Sequence, residues 1–324
     1  MYDRAVSGGS DGVQSATGVL MVRPARFAHN AQTSITNRFQ QSDAQPERTA
    51  GPAGSEFEAL AAALARAAVG VCVVDDTSEP VKPDAVFPNN WVSFHRDGTV
   101  VLYPMLAPNR RSERRMEVLD AVESRLDFRR RRLLDLSVHE REGRFLEGTG
   151  SLVLDHVRRI AYACRSSRTD PSLLRLWSQK MEFEPLVFDA FGLDGTPIYH
   201  TNVLLSIGTR FAVVCTEAIA DCDRASVLKR LREDREVIEI TPSAMTQFAA
   251  NVLELRARAT ARMGASVLVM SERANAALKQ LPGDGWSRLR GAVEQLLVVP
   301  VPMIENVGGG GVRCMLAEVP EISS

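Results

Sequence analysis

Towards its C-terminal end the sequence reads Gly308-Gly309-Gly310-Gly311-Val312-Arg313-Cys314-Met315, a cysteine three residues after four consecutive glycines. Glycine loses more backbone entropy on folding than any other residue and brings no side chain to a core. What the run offers is a backbone that bends tightly and lets a ligand come close, with the Cys314 thiol projecting into that space. A nucleophilic cysteine needs a lowered pKa or a nearby base, and the base needs an orienting acid. Three other segments set polar residues where strand ends meet glycine or proline: Pro83 to Trp91, Phe145 to Ser151 and Tyr199 to Asn202. From these the chain can supply His200 as base and Glu147 as acid. A histidine heading an apolar strand serves equally as a structural hydrogen-bonding group, so residue types alone leave both readings open.

Competing chemistries have less support. His29, His95, His139 and His156 lack HxxxH or HExxH spacing, which argues against a metal site. The only GxSxG match, Gly8 to Gly12, lies in the Gly- and Ser-rich start of the chain and follows no strand signal, and no GxGxxG or GxxxxGK[ST] follows a strand. The 5 cysteines are odd in number and form no CxxC pair, which excludes a disulfide framework as the organising feature and makes a reducing cytoplasm the expected setting.

A chain of 324 residues with 45% hydrophobic and 24% charged content can bury an enzyme-sized core. Its formal net charge of −1 gives no electrostatic case for nucleic acid or an anionic membrane. The arginine clusters at Arg110-Arg111, Arg114-Arg115 and Arg129 to Arg132 have acidic residues among or near them and read as solvated helix faces. No apolar run approaches the ~20 residues needed to span a bilayer. Residues 1–20, rich in Gly and Ser, read as a disordered leader before a single domain over 21–324.

The elements that must position the polar segments alternate along the chain. Phe57, Leu60, Ala61 and Leu64 have the spacing of an amphipathic helix with Ser55 as a candidate cap, and Val71 to Val74 reads as a buried strand. Trp91 to His95 and Thr99 to Tyr103 flank an Asp97-Gly98 turn, a hairpin signal, with a charged helix expected over 111–126. Strand pairs at 152–154 with 160–163, and at 202–207 with 211–215, precede helices starting near 171 and 222. Residues 266–270 lead to helices at 271–280 and 285–297, and Met245, Phe248, Ala249 and Val252 fit another helix. These strand–hairpin–helix units suggest one α/β domain of repeated ββαβ-like pieces, with an ordinary doubly wound sheet as the alternative.

Taken in order, the polar segments resemble the motifs of the guanidino-group-modifying superfamily: arginine deiminase, dimethylarginine hydrolase, agmatine deiminase and the amidinotransferases. Those proteins show Phe-x-Arg-Asp or Phe-x-x-Asn where this chain has Phe87-Pro88-Asn89-Asn90. They show Glu-Gly turns where it has Glu147-Gly148-Thr149-Gly150-Ser151, and Ser-x-Arg-Thr where it has Ser166-Ser167-Arg168-Thr169. His-x-Asp corresponds to His200-Thr201-Asn202, and a Gly-rich segment before Cys to Gly308 through Cys314. The likeness covers residues 21–319 and is greatest to the citrulline-utilisation hydrolases, through Phe-Pro-Asn-Asn-Trp, Leu-Glu-Gly-Thr-Gly-Ser and Tyr-His-Thr-Asn-Val.

The resemblance implies a five-bladed α/β propeller of pseudo-fivefold ββαβ repeats with the active site in its central channel. It implies covalent catalysis without metal or organic cofactor on a small amino-acid substrate, in a chain that could also self-associate. In those roles Cys314 attacks the central carbon of a guanidino or ureido group. His200 protonates the departing nitrogen and then activates water, Glu147 orients His200, and Arg168 holds the substrate carboxylate.

Arginine deiminases carry carboxylates where this chain has Asn90 and Asn202. Two amides suit a neutral ureido end, since Asn can both accept from NH2 and donate to C=O. The resulting expectation is citrulline cleaved to ornithine, with arginine to ornithine second and deimination to citrulline third. Dimethylarginine hydrolysis, amidino transfer and an inactive propeller that only binds arginine-like ligands remain alternatives.

Overall fold

The computed structural model describes residues 13–41, 49–258 and 264–322. Among them, fifteen strands form five three-stranded sheets of one design. In the first, β1 (Gly18–Arg23) lies between β15 (Ala317–Val319), to which it is antiparallel, and β2 (Gly70–Asp75), to which it is parallel. The second holds β3 (Val92–Phe94), β4 (Thr99–Leu102) and β5 (Arg132–Asp135), and the third β6 (Val153–Asp155), β7 (Ile160–Cys164) and β8 (Glu184–Phe188). The fourth holds β9 (Leu205–Ile207), β10 (Phe211–Val214) and β11 (Glu236–Glu239), and the fifth β12 (Leu253–Arg256), β13 (Ser266–Ser271) and β14 (Gln295–Val299).

Every middle strand pairs antiparallel on one side and parallel on the other. A parallel neighbour cannot be reached by a tight turn, so a helical crossover must intervene. Those crossovers are Ala50–Arg66, Met116–Arg125, Pro171–Met181, Asp221–Leu231, and the pair Glu272–Lys279 and Gly285–Gly291. The result is a five-bladed α/β propeller and not a doubly wound sheet. Each helix is tied to its blade by an apolar stripe: Phe57, Leu60 and Leu64 are fully buried, as their spacing predicts.

Several local expectations shift. The first helix begins at Ala50, so Ser55 lies inside it and bonds back to the Gly51 carbonyl instead of capping. The helix expected over 285–297 stops at Gly291, and the apolar, β-branched run that follows becomes β14. The one expected through Val252 ends at Thr246, because Phe248 turns left-handed (φ +62°) and Val252 feeds β12. The charged helix starts only at Met116, after a tight turn over Pro108–Glu113. Of the leader expected over 1–20, residues 1–12 lie outside the described residues. Residues 14–20 are buried and Gly18 already begins β1, so the folded part extends back beyond residue 21. Among the described residues no helix is long and apolar enough to cross a membrane.

The inner strands β3, β6, β9, β12 and β15 are each approached through a short turn, and four of these turns are Pro88–Asn90, Gly148–Ser151, Thr201–Val203 and Val312–Met315. The fifth carries Asn251, two residues before β12. Turns heading neighbouring blades pack on one another, so their side chains converge.

Candidate active site

Each turn contributes one polar group or more. Asn90 ends the first turn, Glu147 opens the second, His200 and Asn202 flank the start of the third, and Cys314 lies within the last. All six residues named from the sequence are buried, with Cys314 the most exposed at 7%. Asn90, Arg168, His200 and Cys314 line one cavity with a free volume of about 20 Å³, room for one water. Glu147 and Asn202 reach that site through direct bonds to His200 and Cys314.

The Glu147 carboxylate is held by three donors. His200 Nε2 lies 2.8 Å from Oε2, Arg168 Nη1 donates to the same oxygen at 3.2 Å, and the Leu106 N–H donates to Oε1 at 3.0 Å. Burial pushes the carboxyl up, but Arg168 and the His200 bond outweigh it and hold it well below the carboxylate range. Burial dominates for His200, which is pushed down to about 4 although Glu147 pulls it up. The pair is therefore an ionised Glu147 and a neutral imidazole. Nε2 must then carry the proton, which leaves Nδ1 as the basic nitrogen. Gly150 keeps that face open, since a Cβ there would lie 2.7 Å from Nδ1 and 2.6 Å from Asn90 Nδ2.

Around Cys314 the sulfur meets amides: Asn251 Nδ2 at 3.3 Å and Asn202 Nδ2 at 3.6 Å. Burial raises the thiol above its ordinary value, and these bonds and the Arg313 charge only partly offset it. A thiol and a neutral imidazole, not a preformed thiolate–imidazolium pair, is the resting state. Of the two routes to a nucleophilic cysteine, a lowered pKa or a nearby base, these surroundings leave the base.

Arg168 stacks over the Tyr199 ring at 4.8 Å. Its Nε and Nη2, the edge that grips a carboxylate bidentately, are occupied by a strap over residues 30–41. Nε donates to Thr36 Oγ1 at 3.0 Å, and Nη2 donates to Thr36 Oγ1 at 2.6 Å and to the Thr33 carbonyl at 2.8 Å. Asn37 and Gln40 of the strap donate to the carbonyls of Gly309 and Gly308. The glycine run is thus closely packed, and at Gly309 (φ +63°) a Cβ would sit 2.6 Å from Gln40 Cγ.

Sequence reasoning missed Arg110, Asp84 and Asn251. Arg110 is 2% exposed, not a solvated face. It bonds Glu113 through Nε and Nη2, and donates Nη1 to Asn90 Oδ1 at 2.7 Å. Asp84 Oδ2 accepts from Asn30 and Thr33, while its Oδ1 is buried without a partner, as are Asn90 Nδ2 and Asn202 Oδ1. Three orphaned polar atoms around one cavity are the signature of a site built for a polar ligand. Asn251 had one available signal: Asn251-Val252-Leu253 repeats Asn202-Val203-Leu204 at the head of the next blade. Among the described residues no group of three or more His, Cys, Asp or Glu is placed to hold a metal ion.

Over residues 23–321 the chain matches the family model of N,N dimethylarginine dimethylhydrolase, eukaryotic. It belongs to that family. No curated protein matches the chain in sequence. Among solved structures, the N-terminal domain of ArgZ, an arginine dihydrolase from the ornithine-ammonia cycle in Cyanobacteria, superposes with a TM-score of 0.69 at 15% identity, covering 94% of this chain and 98% of that one. AgrE in complex with L-arginine gives 0.71 at 17% identity, over 95% of this chain and 41% of the longer AgrE chain. A dimethylarginine dimethylaminohydrolase adduct with 4-chloro-2-hydroxymethylpyridine gives 0.63 at 14% identity, over 94% and 99%. At such identities these likenesses establish the fold alone, the five-bladed α/β propeller.

Proposed function

We propose that this chain is a cysteine hydrolase of a guanidino amino acid, arginine or an N-methylated arginine, cleaving a C–N bond of the guanidinium. The observation that carries the reading is the sulfur's surroundings: buried, raised in pKa, and contacted by two neutral amides. Such a thiol needs positive charge to ionise. A guanidinium ~4 Å away at an effective dielectric of about 20 contributes roughly 4 kcal/mol, on the order of three pKa units. A neutral ureido group contributes no such charge. Against this, Asn90 presents only its NH2 to the cavity, and facing a donor-only guanidinium with it costs roughly 1–3 kcal/mol. The larger effect favours a cationic substrate, reversing the order expected from Asn90 and Asn202 alone.

The proposed steps balance. His200 Nδ1 takes the Cys314 proton, and the thiolate forms a C–S bond to the guanidinium carbon. The tetrahedral adduct expels ammonia, or methylamine or dimethylamine from a methylated substrate, which leaves with the proton from His200. Water then gives a proton to His200 and adds to the thiouronium carbon. The C–S bond breaks as the hydroxyl proton goes to solvent, where the released amine takes it up, His200 returns its proton to the sulfur to restore the thiol, and a ureido product departs. At the other end, Asp84 Oδ1 accepts from the α-ammonium, and Arg168 holds the α-carboxylate once the strap lets go of its fork.

A second reading, hydrolysis onward to ornithine with citrulline as intermediate or substrate, has one observation in its favour. The orphaned Asn90 Nδ2 donor suits an oxygen on the reacting carbon. The test is separate incubation with arginine, asymmetric dimethylarginine, citrulline and agmatine, with products identified by mass. Arginine or dimethylarginine should give citrulline as the first product. Faster turnover of citrulline than of either cation would overturn the proposal and put the second reading first. Cys314→Ser should abolish turnover in either case.

A further inference from the structure

Asn251 bonds three groups, and they leave its amide no freedom. Its Oδ1 accepts the Arg313 N–H at 3.1 Å. Its Nδ2 donates to the Asn202 carbonyl at 3.3 Å and reaches Cys314 Sγ, also at 3.3 Å. Flipping the amide would set NH2 against an N–H and oxygen against a carbonyl, so the orientation is dictated by backbone. One Nδ2 hydrogen serves the carbonyl, and the other is directed at sulfur. Asn251 is 2% exposed and absent from the cavity lining, so it faces the thiol from behind. Gly311 permits the approach: a Cβ there would lie 2.7 Å from Asn251 Oδ1.

We propose that Asn251 is a dedicated hydrogen-bond donor to Cys314 Sγ, which with Asn202 forms a two-amide cradle favouring the thiolate over the thiol. An NH2 can only donate, and a donor bonds a thiolate more strongly than a neutral sulfur. The charged groups near the sulfur do not replace it. His200, Asp84, Arg110 and Arg168 lie across the cavity. Arg313, though next in the chain, turns its guanidinium to the Leu316 carbonyl and Glu318. The division of labour follows: Asn202 retains an orphaned Oδ1 for a ligand, whereas every polar atom of Asn251 is engaged, which makes it part of the thiol's support and not of the substrate pocket.

This rests on Cys314 being the nucleophile, but not on which substrate it attacks, so the test uses no substrate. In a Cys222→Ser background, which removes the exposed thiol, iodoacetamide alkylation of Cys314 is followed against pH by peptide mass spectrometry. Sulfur gains the carboxamidomethyl group, iodide leaves and the thiol proton goes to buffer. Asn251→Ala should move the half-maximal pH up by about one unit, a tenfold loss of thiolate at fixed pH. Asn251→Asp keeps the size and the acceptor for Arg313 N–H but removes the donor, so it should move at least as far. If the alanine variant fails to fold, the aspartate variant decides. Profiles that coincide with the parent overturn the proposal, as does an adduct found on another cysteine and not on Cys314. A shifted profile in a protein that turns over none of the four candidate substrates upholds the cradle and removes the proposed function instead.

Discussion

Arg110 Nη1 donates to Asn90 Oδ1 at 2.7 Å, and that bond decides which end of the Asn90 amide the cavity sees. One lone pair of the oxygen is taken, while Nδ2 is buried without a partner and is the end left for a ligand. Asn90→Asp would keep the Arg110 bond through one carboxylate oxygen and turn the other to the cavity as an acceptor. The ratio of kcat/KM for arginine over citrulline should rise about tenfold or more, since an acceptor replaces a donor opposite a cation. An unchanged ratio would mean that position 90 does not face the reacting group.

The Glu147–His200 pair should behave as one unit. Glu147→Gln keeps the shape but removes the charge that orients His200 and balances Arg168. We expect kcat to fall by on the order of 10²–10⁴. Steady-state rates across pH would check this, and a profile unchanged in height and shape would dissolve the pairing.

Thr36 occupies the edge of Arg168 that a substrate carboxylate would use. Thr36→Val removes that competitor while keeping the size of the side chain. KM for the amino-acid substrate should fall about threefold to tenfold with little change in kcat, the net worth of one typical hydrogen bond. The matching control is agmatine, which lacks the carboxylate and should show no such gain.

Between pH 4.5 and 6.5, buried groups set opposing slopes of stability. His200 and His95 are pushed down to about 4 and His156 to about 3, chiefly by burial. Their unfolded forms bind protons first as pH falls from 6.5, so each destabilises the fold on acidification. Glu113 and Glu305, both raised to about 7 by burial, do the reverse: folded, they hold protons up to pH 7 that the unfolded chain releases near 4.5, so their stabilisation is lost as pH rises. Glu56 and Glu318, also raised by burial, act in the same sense as Glu113 and Glu305. Urea midpoints should show that acidification from pH 6.5 costs His156→Gln less stability than the parent and Glu305→Gln more, by up to about 1.4 kcal/mol per pH unit in each case.

The sequence disclosed the hairpins of the second, third and fourth blades because they are buried runs joined by turn residues, such as Val92–Phe94 and Thr99–Leu102 around Asp97-Gly98, but not β1, β12 or β15. Of the outer strands only β2 was legible, as the apolar run Val71 to Val74. β5 and β11 carry charges at both ends and expose those ends, so neither alternation nor an apolar run marks them. The site divided in the same way. Cys314, His200, Glu147, Asn90 and Asn202 follow glycine, proline or aromatic signals at strand heads. Arg110 sat in a run of arginines whose one-dimensional pattern is that of a solvated helix, and only the buried partner Glu113 distinguishes it. Asp84 and the strap reach the cavity through contacts more than fifty residues apart in the chain, such as Thr33 with Asp84 and Thr36 with Arg168, which no local pattern encodes.

β15 completes the first blade by pairing with β1, Gly18 opposite Val319 and Leu20 opposite Ala317. Cys314 lies in the turn that leads directly into that strand. The stroke that seals the ring is therefore also the one that seats the thiol beside Asn202 and Asn251. A chain cut before Val312 would lack Cys314 and leave the flank of β1 unpaired, an open edge that invites other strands. Closing the ring and placing the thiol are one event in this molecule.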